Sequence, residues 1–166
     1  MKMKLIFISL LLIVICQAGF AQIDLNYYYR ITNNQLGKDY SLDALSPTIK
    51  DLCMGKTNEG SGQYWKFIDL GNATYGLVNL FLGEERTLDT YTGTTYDICM
   101  SLSNASAGQY WTVAAQADGT YRLTNRMFGS GRSLDIFENQ AHEPYMGVTG
   151  NSPGQLWVLT KIKSIQ

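Results

Sequence analysis

The only three tryptophans in this 166-residue chain stand 46 residues apart, each closing the same short word: Gln63-Tyr64-Trp65, Gln109-Tyr110-Trp111 and Gln155-Leu156-Trp157. A fixed period constrains architecture more than any local pattern, because every copy must become the same supersecondary unit. With the chain laid out at that period, nine columns hold one residue type in all three copies, with no insertion or deletion. The columns are Tyr29, Tyr75, Tyr121; Asn33, Asn79, Asn125; Gly37, Gly83, Gly129; Leu42, Leu88, Leu134; Asp43, Asp89, Asp135; and Met54, Met100, Met146. Gly62-Gln63-x-Trp65, with its equivalents at Gly108 and Gly154, supplies the other three.

Each copy reads as four short strands. Residues 29–33, 75–79 and 121–125 alternate and are rich in aromatic and β-branched side chains. A glycine turn follows at Gly37, Gly83 and Gly129. The second strand carries Leu-Asp, the third surrounds the methionine, and the fourth carries Gln-x-Trp. Asp118-Gly119 is a hairpin turn signal. Helical periodicity and caps are absent, so the class is all-β. A unit this short cannot enclose a core alone. The copies must share one, built from the leucine, methionine and tryptophan columns. The glutamine two places before each tryptophan is expected on the same strand face and needs backbone partners for its amide. Gln-x-Trp therefore reads as architecture rather than ligand contact.

The N-terminus has the pattern of a secretory signal peptide over residues 1–21. Lys2 and Lys4 precede an apolar run at 5–16, and Gly19-Phe20-Ala21 offers a cleavage site before Gln22. The expected mature chain, 22–166, is one exported domain. Without Lys2 and Lys4, 11 of the 13 basic residues remain against 14 acidic ones, with no basic cluster. That argues against nucleic acid as a partner and against membrane insertion. Cys53 and Cys99 share a column, so a bond between them is not expected; both read as mostly buried thiols.

Three Gln-x-Trp words at equal spacing, each preceded by a Leu-Asp strand, resemble the ricin-type β-trefoil lectins. Tyr121-Arg122-Leu123-Thr124-Asn125, Ser133-Leu134-Asp135 and Ser61-Gly62-Gln63-Tyr64-Trp65 carry the likeness, which covers essentially the whole of 22–166. The resemblance implies a β-trefoil of three pseudo-symmetric four-stranded repeats, about 27–72, 73–118 and 119–162. It also implies shallow sugar pockets, one per repeat.

In the resembled family the pocket aspartate follows the second-strand leucine, which here gives Asp43, Asp89 and Asp135. A carboxylate can accept from two adjacent hydroxyls at once. A structural aspartate at a turn fits the threefold retention equally well. The family's stacking ring falls at Cys53, Cys99 and Tyr145, so only the third repeat keeps one. Its asparagine before the glutamine is glycine in all three copies. Its bridging cysteines are replaced by Ser41, Thr87 and Ser133 on one strand and by Gly55, Ser101 and Gly147 on the other. Asn58, Asn104 and Asn151 lie nearby, together with an acid column of Asp51, Asp97 and Glu143. Tyr91 and Phe137 stand two places past their aspartates, where the first repeat has Leu45. Rings beside acids and amides suit sugar recognition; the plainer expectation is that this last column packs under the hairpin loop. His142, the only histidine, reads as a surface loop residue.

The function expected is a secreted, non-catalytic carbohydrate-binding protein whose partner is a glycan or polysaccharide. The third repeat is its best site, and no cofactor or metal is required. The alternative is a protein-interaction or inhibitor module of the same architecture that has lost sugar binding. An enzyme is not expected. The one histidine lies in a loop, no metal-ligand spacing occurs, and a repeated acid suits repeated sites better than one asymmetric catalytic pair.

Overall fold

The computed structural model describes residues 22–46, 52–90, 96–137 and 142–165. The segment 1–21 lies outside the described residues, as do Asp51 and the candidate site residue Tyr91. Among the described residues, twelve strands follow the period. The first repeat contributes β1 (Tyr27–Asn33), β2 (Gly37–Ala44), β3 (Leu52–Lys56) and β4 (Trp65–Asp69). The second contributes β5 (Thr74–Asn79), β6 (Gly83–Thr90), β7 (Ile98–Leu102) and β8 (Trp111–Ala115). The third contributes β9 (Tyr121–Asn125), β10 (Gly129–Ile136), β11 (Pro144–Val148) and β12 (Trp157–Ser164).

The first and fourth strands of each repeat close into a ring of antiparallel pairs, β1–β4–β5–β8–β9–β12 and back to β1. Closure leaves that barrel with no open edge. The middle strands form the hairpins β2–β3, β6–β7 and β10–β11. Each is joined to its barrel strand through the glycine turn, Asn33 pairing with Gly37, Asn79 with Gly83 and Asn125 with Gly129. The architecture is a β-trefoil.

The repeated apolar columns meet in one core. Trp65, Trp111, Trp157, Leu42, Leu88 and Leu134 are wholly buried, and Met54, Met100 and Met146 nearly so. Burying a tryptophan is worth about 4–6 kcal/mol as an upper bound on area grounds. Each indole nitrogen also donates to the carbonyl of its own repeat's leucine, 2.9 Å in every copy. That bond ties the start of the fourth strand to the second.

One local expectation is corrected. The glutamines are not on strands. They end short 3₁₀ turns, Ser61–Gln63, Ala107–Gln109 and Pro153–Gln155, and the fourth strand starts at the tryptophan. The turn swings the amide away from the barrel and toward its own hairpin.

Adjacent repeats are joined by the invariant asparagines. Asn33 Nδ2 donates to Gly154 O at 2.7 Å and Asn79 Nδ2 to Gly62 O at 2.7 Å; Asn125 Nδ2 donates to Gly108 O. Each side chain's oxygen accepts the N–H two residues on, from Gln35, Phe81 or Met127. Three buried amides thus link the repeats in a cycle.

Candidate functional site

Asp135 and Tyr145 are directly opposite each other in the β10–β11 pair, so their side chains share one face. Phe137, two residues past Asp135, continues that face, and its N–H donates to Glu143 O at 3.0 Å. Its ring stacks on Tyr145 with centroids 3.8 Å apart and planes 11° apart. Phe137 is 38% exposed and Leu45, its counterpart in the first repeat, 63% exposed. Tyr91, the middle member of this column, and the hairpin loops themselves lie outside the described residues.

The aspartates are buried and bonded within the protein. Asp135 Oδ1 accepts the Ile136 N–H at 2.8 Å, and Oδ2 accepts from Gln155 Nε2 at 2.9 Å. Gln63 Nε2 donates to Asp43 Oδ2 at 2.9 Å. Asp89 takes the Thr90 N–H at 2.7 Å, hydroxyls of Ser101 and Ser106 at 2.5 and 3.1 Å, and Gln109 Nε2 at 3.2 Å. The same three glutamines donate to the carbonyls of Lys56, Leu102 and Val148, and their oxygens accept the N–H of Asn58, Asn104 and Gly150. The backbone partners match the expectation from the sequence; the carboxylate partner adds to it. A carboxylate has about four acceptor sites. Asp135 uses two of them on these partners, whereas Asp89 uses four.

The glycine before each glutamine has a steric reason. A Cβ on Gly62, Gly108 or Gly154 would press into the carboxylate of Asp43, Asp89 or Asp135, and one on Gly147 would meet Asp135 Oδ2 at 2.6 Å. The carboxylate fills the space a side chain would need. Ser101, in the place of Gly55 and Gly147, turns its hydroxyl into a donor to Asp89.

Asn58 and Asn104 are exposed and shape loops, accepting the N–H of Gly60 and Ser106 at 2.6 and 3.0 Å. Asn151 is exposed, and its neighbour Ser152 does the equivalent work by accepting the Gly154 N–H at 3.2 Å. Asn58 and Asn104 are linked to the aspartates through the glutamine between them; in the third repeat Gly150, not Asn151, makes that bond.

Gln35 is the residue that sequence reasoning missed. It comes from the first repeat, yet its Oε1 lies 3.1 Å from where a Gly154 side chain would begin, beside Asp135. Asn33 holds it there by joining Gln35 N–H to Gly154 O. The signal was a variable column, Gln35, Phe81 and Met127, two places after the invariant asparagine.

His142 is half-buried rather than a plain surface residue. Its φ is +47°, and its ring meets Tyr40 of the first repeat edge-on at 5.4 Å. Cys53 and Cys99 stand opposite Asp43 and Asp89, where Tyr145 stands opposite Asp135. Cys53 is half-buried and Cys99 buried, both as thiols. Burial, reinforced by the charges of Asp89 and Asp97, pushes the Cys99 thiol up to about 11. Among the described residues no group of His, Cys, Asp and Glu is arranged to hold a metal, and no helix is long and apolar enough to cross a membrane.

No family model matches the sequence, and no curated protein does. Solved structures match in fold. A designed three-fold symmetric protein, ThreeFoil, is 24% identical with a TM-score of 0.72, over 81% of this chain and 99% of that one. An exo-β-1,3-galactanase of Clostridium thermocellum is 20% identical with a TM-score of 0.70, over 85% of this chain and 31% of that one. A Polyporus squamosus lectin bound to the human-type influenza-binding epitope Neu5Acα2-6Galβ1-4GlcNAc is 14% identical with a TM-score of 0.68, over 84% and 50%. The chain therefore spans about a third of the galactanase and half of the lectin. At these identities the likeness establishes the β-trefoil, and it agrees with the resemblance carried by the Gln-x-Trp words.

Proposed function

We propose that this protein is an exported, non-catalytic carbohydrate-binding protein that holds a glycan on the third hairpin. The observation that carries the reading is the stacked, partly exposed Phe137–Tyr145 pair on the same face as Asp135. A sugar offers an apolar face and a hydroxyl edge, and an aromatic flank beside a carboxylate matches both. The ring pair takes the apolar face. Asp135 keeps acceptor capacity for hydroxyls, and the Gln35 amide offers a donor and a second acceptor at the rim. Asp43 and Asp89 are lesser sites, because Cys53 and Cys99 replace the ring. Two solved neighbours of the same fold, the lectin and the galactanase, have carbohydrate partners or substrates in their own right, which supports a glycan or polysaccharide as ligand.

Catalysis is not part of the proposal. Glycoside hydrolysis needs two carboxyl groups in different environments flanking one bond. Here the same aspartate sits in the same glutamine-bonded place in each repeat. Export rests on the charged, apolar and small-residue pattern of 1–21.

A glycan array probed with 22–166 and with a Phe137→Ala/Tyr145→Ala double variant tests the proposal. The expected outcome is binding by the parent and on the order of tenfold weaker binding by the variant. Equal binding by both would move the site off the third hairpin. A second reading, a protein-interaction module, draws on the way protein donors take up the Asp89 carboxylate in full. A blank array for the parent, with a protein partner co-purifying, would replace the first reading with this one.

A further inference from the structure

The third hairpin does not carry its site alone. On one edge of β11 Tyr145 stands opposite Asp135; on the other edge it stands opposite Asp97 of the second repeat, in an isolated antiparallel bridge. The Met146 N–H donates to Tyr96 O at 2.8 Å beside that bridge. Opposed residues in an antiparallel pair point to one face, and they lie closest where hydrogen bonds flank the pair rather than join it. The Asp97 carboxylate therefore shares a face with Tyr145 and Asp135. Asp97 is exposed, and among the described residues no cation pairs with it.

The approach of Asp97 is held from the third repeat. Tyr96 has a φ of +56°, a conformation that a bulky residue keeps only where its surroundings fix it. Arg132 places its Cζ 3.3 Å from the centre of the Tyr96 ring, and its Nη1 donates to Met146 O at 2.8 Å. Phe128 meets the same ring edge-on at 5.6 Å. The device recurs one period later. His142 is also left-handed and packs on Tyr40, which belongs to the column of Arg132. In both copies the residue before the acid crosses onto the next repeat. Only at the third hairpin does the crossing acid meet a ring, because Cys53 and Cys99 hold the place of Tyr145 elsewhere.

We infer that Asp97 is a specificity-determining residue of the third-hairpin site: it accepts hydroxyls of a neutral glycan on the side of Tyr145 away from Asp135, and its charge turns away uronic and sialic acids. This rests on the glycan reading of the site and names the class of glycan. A sugar laid on the Phe137–Tyr145 pair has a carboxylate on either side of Tyr145. Asp135 is partly taken up by protein donors, whereas Asp97 faces solvent with its acceptor sites available for charge-assisted bonds. Glu143, exposed and bonded through its backbone to Phe137 across the hairpin, adds a further negative charge beside the rings. Arg132 is committed to Tyr96 and Met146. A carboxylated sugar would bring a like charge into this field without a partner.

An array carrying neutral oligosaccharides beside their uronic-acid and sialylated forms, probed with 22–166, Asp97→Asn and Asp97→Glu, tests the inference. The parent is expected to bind a neutral glycan and to bind its acidic form about tenfold more weakly. Asp97→Asn should weaken the neutral glycan about fivefold and narrow the acidic penalty to about threefold, while Asp97→Glu keeps the penalty. Equal binding of neutral and acidic forms by the parent overturns the inference. So does an Asp97→Asn variant with unchanged affinity and unchanged discrimination; the glycan reading then stands if Phe137→Ala/Tyr145→Ala still loses binding. A blank array for the parent overturns the inference together with the reading beneath it. Should Asp97→Asn lower the urea midpoint, the ratio of neutral to acidic binding still decides, because the folded fraction cancels between two ligands on one protein.

Discussion

Asp135 owes its place to Gln155, twenty residues later, and to the glycines packed against it. The pairing explains two invariant columns at once: the aspartate receives a donor, and the glutamine amide is satisfied inside the protein. It also makes Gly154 a space-limited position. Gly154→Ala would place a methyl against Asp135 Oδ1, 3.1 Å from Gln35 Oε1 and 3.2 Å from Ile136 Cγ1. The expected cost is about 1–3 kcal/mol, seen as a lower urea midpoint at unchanged slope. Cys99 yields a different prediction. Its thiol is raised from 9.0 to about 11, so the folded state holds a proton that the unfolded chain releases first. Stability should therefore fall as pH rises from 9.0 toward 11, because the unfolded state binds fewer protons in that window. Alkylation followed by mass spectrometry at about pH 9 should find Cys99 slow in the folded protein, with about 1% thiolate, and fast in urea. The aspartate and cysteine columns are both visible in the sequence. The bond between aspartate and glutamine is not, since nothing in a one-dimensional period reports which columns touch.

At the scale of elements, alternation and the glycine turns locate the strands, because a half-buried strand repeats every second residue and a left-handed turn excludes most side chains. The turn glycines differ from Gly154 in kind. Gly83 has a φ of +77°, and a Cβ added to it would meet nothing within 4 Å, so only its backbone conformation constrains it. Gly83→Ala should cost about 1 kcal/mol without disturbing any neighbour, measurable by the same urea titration with an unchanged amide spectrum away from the turn. The 3₁₀ turns are hidden in the sequence because Gly-Gln-x-Trp fits a strand or a turn equally well locally. Bonds from the glutamine to the third strand of its own repeat decide the matter.

At the scale of the molecule, three asparagine amides and one shared core make a single unit from three copies that could not stand alone. Asn79→Ala would remove the donor to Gly62 O and the acceptor for Phe81 N–H, leaving both ends of a buried link unmet. A loss of about 2–4 kcal/mol is expected, with one cooperative transition retained, since the core still spans all repeats. Separate transitions by fluorescence and circular dichroism would contradict that account. By itself the sequence determined the repeat, the all-β class, the shared core and the retreat of a stacking ring to the third copy. Those are properties each copy must satisfy on its own strands, so a period records them. Tertiary structure alone decided that Gln35 crosses from the first repeat to the third site and that Phe137 lies on Tyr145. These are distances between copies or between hairpin faces, fixed when the barrel closes and the hairpins fold against it.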